Sequence, residues 1–99
     1  MPIDLIKIVK SNKPNKKMMA VFLNVKTGRT KTIHFGSAGM SDYTINKDPE
    51  RRKRYLDRHR KNENWNDYQT AGSLSRWILW GNTTSIQKNI KNYKSKFNL

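Results

Sequence analysis

Met18-Met19-Ala20-Val21-Phe22-Leu23-Asn24-Val25-Lys26-Thr27-Gly28-Arg29-Thr30-Lys31-Thr32-Ile33-His34-Phe35 decides the fold. The first eight residues form a nearly continuous apolar run of strand length. Lys26 to Arg29 is polar and carries Gly28, which adopts positive φ without steric cost. From Thr30 the chain alternates, with Thr30, Thr32 and His34 on one side and Lys31, Ile33 and Phe35 on the other. Two extended runs about a glycine-bearing turn predict a β-hairpin. Upstream, Ile3 to Val9 is rich in Ile and Val, and Ser11 to Lys16 with Pro14 makes a turn before the hairpin. The expectation is one antiparallel sheet of three strands, near residues 3–9, 17–25 and 29–35.

Beyond Phe35 the period changes. Gly36 to Thr44 is expected to be a loop, and its two glycines suggest, weakly, a nest of backbone N–H groups for an anion. Asp48-Pro49-Glu50 is a helix start, with Asp as cap, Pro at the first helical position and an acid in the first turn. That helix is expected to reach about Asn62, with an apolar side of Tyr55, Leu56 and His59 and the stem of Arg52 alongside. A second helix is expected over Ala71 to Trp80, with Leu74, Trp77 and Ile78 on one face and Trp77 in the core. The third starts from a capping box at Thr84 and Gln87 and carries Ile86, Ile90, Tyr93 and Phe97 at helical spacing. The resulting fold class is α+β, a three-stranded antiparallel sheet followed by three helices packed on one face, as a single domain over residues 1–99.

Charge supplies the functional clue. Lys plus Arg total 21 against seven Asp plus Glu, for a net charge of +14, and only 34% of residues are hydrophobic. Low hydrophobicity with high charge leans toward disorder. Three Trp, four Tyr and three Phe nevertheless provide enough bulk for a modest core. A domain this basic repels itself, and a polyanionic partner is the usual reason for tolerating that. Lys47 to Lys61 holds eight basic residues against three acids. At 100° per residue Arg51, Arg54, Arg58 and Lys61 share a stripe, with Lys53 and Arg60 flanking it. Phosphate recognition needs several cations on a rigid element, and the forked guanidinium matches phosphate oxygens. The ordinary alternative, a solvated face with Glu50–Arg54 and Asp57–Lys61 pairs, leaves Arg51, Lys53, Arg58 and Arg60 unmatched. Lys88, Lys91 and Lys94 form a second basic patch on the last helix.

Cysteine is absent, which excludes thiol chemistry, disulfides and Cys-based zinc sites. His34 and His59 lie on separate elements, and the acids that a metal nuclease would cluster are scarce. No enzymatic activity, cofactor or metal is expected. Met1-Pro2-Ile3-Asp4 does not begin a signal peptide, and no apolar run nears the roughly 18 residues of a membrane span. An intracellular location is the expectation. Trp65 and Trp80 are candidates for exposure, where base stacking competes with partner contact or a homodimer.

His34-Phe35-Gly36, Asp42-Tyr43-Thr44, Asp48, Arg51, Tyr55, Arg58-His59, Trp65, Thr70-Ala71-Gly72-Ser73-Leu74-Ser75-Arg76-Trp77 and Leu79-Trp80 form a pattern. It resembles a family of small basic proteins encoded by nucleocytoplasmic large DNA viruses, the giant viruses, across roughly residues 30 to 97. The resemblance brings no activity that transfers residue by residue. It implies a viral origin and a place in the virion, in the viral factory of the host cytoplasm or in the host nucleus, where packaging a large genome calls for cationic protein. The leading expectation is a nucleic-acid-binding protein, with DNA favoured over RNA, that contacts phosphates with little sequence specificity. The alternative is a structural virion protein whose basic surface meets acidic protein partners, which an exposed aromatic patch would favour.

Overall fold

A computed structural model describes residues 3–99. Three strands, β1 (Ile3–Lys10), β2 (Lys16–Asn24) and β3 (Thr30–Ser37), form one antiparallel sheet in the order β1-β2-β3. Gly28 makes the β2–β3 turn possible at φ +72°. Asn24 reinforces that turn through its side-chain oxygen, which accepts from the backbone N–H groups of Lys26 and Thr27.

Register explains which residues face inward. Met18 pairs with Phe35 and Ala20 with Ile33, so both strands turn these side chains to one face. In β1 a bulge between Leu5 and Lys7 skips Ile6. The extra residue changes the phase of alternation, so that Leu5 opposite Phe22 and Ile8 opposite Ala20 share the inner face. Ile6 is left half exposed.

Four helical pieces follow: α1 (Tyr43–Asn46), α2 (Pro49–Arg60), α3 (Ala71–Leu74) and α4 (Ile86–Lys96). The predicted α+β class is therefore correct, with one addition. The stretch expected to be a loop, Gly36 to Thr44, runs into α1, a single turn capped by Asp42 and ended by Lys47 in the left-handed region at φ 53°. Gly36 lies inside β3 at φ +77°, and a Cβ there would sit 2.6 Å from the Leu79 side chain. Its positive φ and the close packing of sheet on helix account for this glycine.

The second predicted helix begins as α3 under the Thr70 cap and becomes a π-helical stretch at Ser75–Leu79, where the Trp80 N–H donates to the Ser75 carbonyl at 2.9 Å. The wider turn changes which indole goes inside. Trp80 joins Leu74, Ile78 and Leu79 in the core, whereas Trp77, expected there, is only half-buried. The Trp77 Nε1 donates to the Trp65 carbonyl, and the Arg76 and Lys96 cations lie 4.2 and 4.6 Å from its ring centroid. The α4 cap is Ser85, whose hydroxyl accepts from Lys88 N–H, and not Thr84. Thr83 explains the one-residue shift. Its hydroxyl is tied to Asn89 and to the Ser85 backbone, which fixes the entry to the helix one residue later.

Helix α2 attaches through side chains. Tyr55 stacks on Trp80 with centroids 4.2 Å apart and planes 5° from parallel. The Arg52 Nε donates to the Gly81 carbonyl at 2.8 Å, and its Nη2 donates to Asn82 Oδ1 at 3.0 Å. The end of a helix presents unpaired carbonyls and a partial negative charge, so a guanidinium is a fitting clasp. Arg76 adds a second, its Nη1 donating to the Trp80 carbonyl. Arg76 is buried with no carboxylate partner among the described residues, and desolvation, then the nearby Arg52 charge, lower its pKa to about 10. Its charge is accommodated by that carbonyl and by the faces of Trp77 and Trp65.

Candidate nucleic-acid interface

Between the α2 helix and the adjoining ends of β2 and β3 lies a cleft of about 340 Å³. The stripe of α2 beside it carries Arg51, Tyr55 and Arg58, spaced i, i+4, i+7, and His59 follows on the next turn. The opposite wall is Lys16 and Lys17 at the start of β2, with Gly36 and Ser37 of β3, while Leu79 and Trp80 reach it from the π-helical stretch. Its charges are arranged asymmetrically. Lys17 Nζ meets Asp42 Oδ2 at 2.6 Å, and the same carboxylate caps α1 by accepting from the backbone N–H and the hydroxyl of Thr44. Glu63 Oε2 lies 2.6 Å from His59 Nδ1, and its Oε1 accepts from Trp65 Nε1. Both acids of the cleft are thus occupied. Lys16, Arg51 and Arg58 have no carboxylate within ion-pair distance among the described residues.

Aromatic rings stiffen the inner wall. His59 stacks on Tyr55 with centroids 4.1 Å apart, so Trp80, Tyr55 and His59 form a continuous stack, and His59 is its outermost, partly exposed ring. Burial pushes the Tyr55 phenol well above its ordinary pKa, with Glu63 adding to the effect and Arg76 and Arg58 opposing it. The Tyr55 hydroxyl therefore stays protonated and contributes no negative charge to the cleft.

The predicted cations separate into four groups. Arg51 and Arg58 line the cleft. Arg54 and Lys61 are exposed and continue the same stripe outward, about 80° wide in all at 100° per residue. Lys53 is exposed on the other flank, and Arg60 lies over the Trp65 ring at 6.0 Å. Lys88, Lys91 and Lys94 are exposed on α4 and are not part of the cleft. Neither the Glu50–Arg54 nor the Asp57–Lys61 pair forms, which leaves the stripe uncompensated. Sequence reading missed Lys16, Lys17, Asp42 and Glu63 as parts of this site. The Lys-Lys pair opening a strand was the available signal for the first two.

Trp80 is buried and Trp65 is half-buried. Trp80 is buried against Tyr55, and Arg60 and Arg76 occupy the faces of Trp65. Among the described residues no group of three or more His, Cys, Asp or Glu side chains is placed to hold a metal ion, and no helix is long and apolar enough to cross a membrane.

Residues 6–59, more than half of the chain, match the sequence profile of a family of unknown function, DUF5754. The chain belongs to this family. The matched stretch runs from β1 to the last turn of α2 and includes Lys16, Lys17, Arg51, Tyr55, Arg58 and His59 of the cleft. Within DUF5754 this chain thus carries the cationic walls of the cleft inside the matched region, and Glu63, α3 and the π-helical stretch beyond it. No curated protein and no solved structure matches the chain.

Proposed function

We propose that this protein is a non-enzymatic nucleic-acid-binding protein that grips the phosphate backbone with little sequence specificity, DNA in preference to RNA. The observation that carries the reading is the convergence of Lys16, Arg51 and Arg58, drawn from two elements and unpaired, on one cleft beside the exposed Arg54 and Lys61. Cations left without acids on a rigid frame suit phosphates, and contacts to phosphate position a protein without reading bases. Trp80 is buried and Trp65 half-buried, which supports this reading over a structural role resting on an exposed aromatic patch. Packaging or organising a viral genome, in the virion or viral factory, is the setting that the resemblance to giant-virus proteins suggests.

Titration of fluorescent random-sequence duplexes over a range of salt tests the reading. With about five phosphate contacts, the log–log slope of affinity on salt is expected near −4.5. The double substitution Arg51→Ala, Arg58→Ala is expected to weaken every sequence equally and to flatten the slope by about two. Both side chains are exposed and make no hydrogen bond or ion pair among the described residues, so the fold is expected to survive their removal. Absence of binding at low salt would refute the proposal.

A further inference from the structure

We infer that the cleft is an end-binding site, in which Lys16, Arg51, Arg58 and His59 hold the terminal phosphate monoester of a nucleic-acid strand. This rests on the nucleic-acid reading above and names the ligand of its central site. Shape is the first ground. A backbone running along a convex basic helix needs no cavity, yet here the unpaired cations stand around a concave space of about 340 Å³, closed behind by Tyr55, Leu79 and Trp80. That volume lies at the lower end of the roughly 300–1,000 Å³ of small-ligand pockets. A space of that size suits the terminal nucleotide of a strand.

Charge is the second ground. A monoester carries about −1.5 to −2 charges at neutral pH, with three free oxygens, where a diester carries a single charge. Three cations from opposing walls are matched by the former and are more than the latter needs. The two acids in the cleft do not compete for them, since Asp42 is held by Lys17 and its helix cap, and Glu63 by His59 and Trp65.

His59 supplies the third. Its Nδ1 is engaged by Glu63, which fixes the ring, and its Nε2 makes no hydrogen bond among the described residues. Nε2 is thus open to hydrogen-bond a phosphate oxygen, as one further polar group of the cleft. A terminal monoester offers three free oxygens, one more than a diester, for that added contact.

The test uses one single-stranded oligonucleotide in three forms, with a 5′-phosphate, a 3′-phosphate or hydroxyls at both ends, with inorganic phosphate as a separate probe. A phosphorylated end is expected to bind about tenfold tighter than the hydroxyl form, the yield of one additional charge-assisted hydrogen bond. Arg51→Ala with Arg58→Ala is expected to abolish that preference, and His59→Gln to reduce it without changing affinity for the hydroxyl form. Lys88→Ala with Lys91→Ala, away from the cleft, is expected to leave it intact. Phosphorus NMR of the terminal phosphate on titration provides a direct second measurement, with a shift of its resonance expected on binding. Equal affinity for all three forms would overturn the inference while leaving backbone binding in place. Inorganic phosphate bound as tightly as the phosphorylated strand would overturn it also, by showing a site for the free ion. No binding of any strand would sink both readings.

Discussion

Asn89 joins α4 to the end of the π-helical stretch, and its replacement by leucine should cost about 2–4 kcal/mol of stability. The side chain is fully buried and its amide makes all four hydrogen bonds available to it. Its Nδ2 donates to the carbonyls of Ile78 at 2.8 Å and Thr83 at 2.9 Å. Its Oδ1 accepts from the Thr83 N–H at 3.2 Å and the Thr83 hydroxyl at 2.8 Å. The Ile78 carbonyl belongs to the last turn of its helix, where no backbone donor follows, and the residue is buried. Orphaning one buried carbonyl costs roughly 1–3 kcal/mol. The bonds to half-exposed Thr83 are worth about 1 kcal/mol each, because water replaces them in part. Leucine is similar in volume and buries more apolar surface, which returns about 1–2 kcal/mol. At about 4–8 °C per kcal/mol for a domain of this size, Tm should fall by about 8–32 °C. Urea melts followed by both tryptophan fluorescence and circular dichroism give the difference. A loss below about 1 kcal/mol would refute the reasoning and show that the loop relaxes to satisfy Ile78 by another route.

Arg52→Ala should cost about 1.5–3 kcal/mol, because its guanidinium clasps the Gly81 carbonyl and Asn82; thermal melts with unchanged stability would show that the Tyr55–Trp80 stack alone holds α2. Alkaline pH should destabilise the fold. Burial raises the pKa of Tyr55 and Tyr93, so the unfolded chain releases those phenolic protons first, and stability falls as pH rises above about 10. Two such groups give a slope of about 2.7 kcal/mol per pH unit, and Tyr93→Phe should halve it. Phenolate absorbance recorded during unfolding checks this, and ionisation of all tyrosines without loss of structure would contradict it.

The order of strands and helices was legible because periodicity is a local property. Alternation at Thr30–Phe35 and the Asp48-Pro49-Glu50 start each needed only a few neighbouring residues to declare themselves. What escaped reading depended on counts or on distance. A bulge at Ile6 and a π-helical turn at Ser75–Leu79 each alter the phase of a pattern without altering its composition, so Leu5 and Ile8 came to share a face and Trp80 replaced Trp77 in the core. A single turn such as α1 is too short to show a period at all. The cleft was half visible. Arg51 and Arg58 announce themselves by helical spacing, whereas their partner Lys16 comes from a strand, and only the tertiary fold brings it near.

The same distinction governs how the net charge of +14 should be read. Composition counts every cation as available to a partner, but the structure employs several of them internally. Lys17 holds Asp42, Arg52 and Arg76 close the end of a helix, and Arg60 and Lys96 lie on indoles. Helix α2 therefore uses its arginines in two ways, Arg52 facing inward as a clasp and Arg51, Arg54 and Arg58 turned toward solvent or the cleft. Replacing an inward cation should register in stability and leave the salt slope of binding nearly unchanged. Replacing an outward one should do the reverse. The two classes sit one residue apart at Arg51 and Arg52, so alanine at each, assayed for both melting and binding, separates a charge that supports the fold from one that serves a ligand.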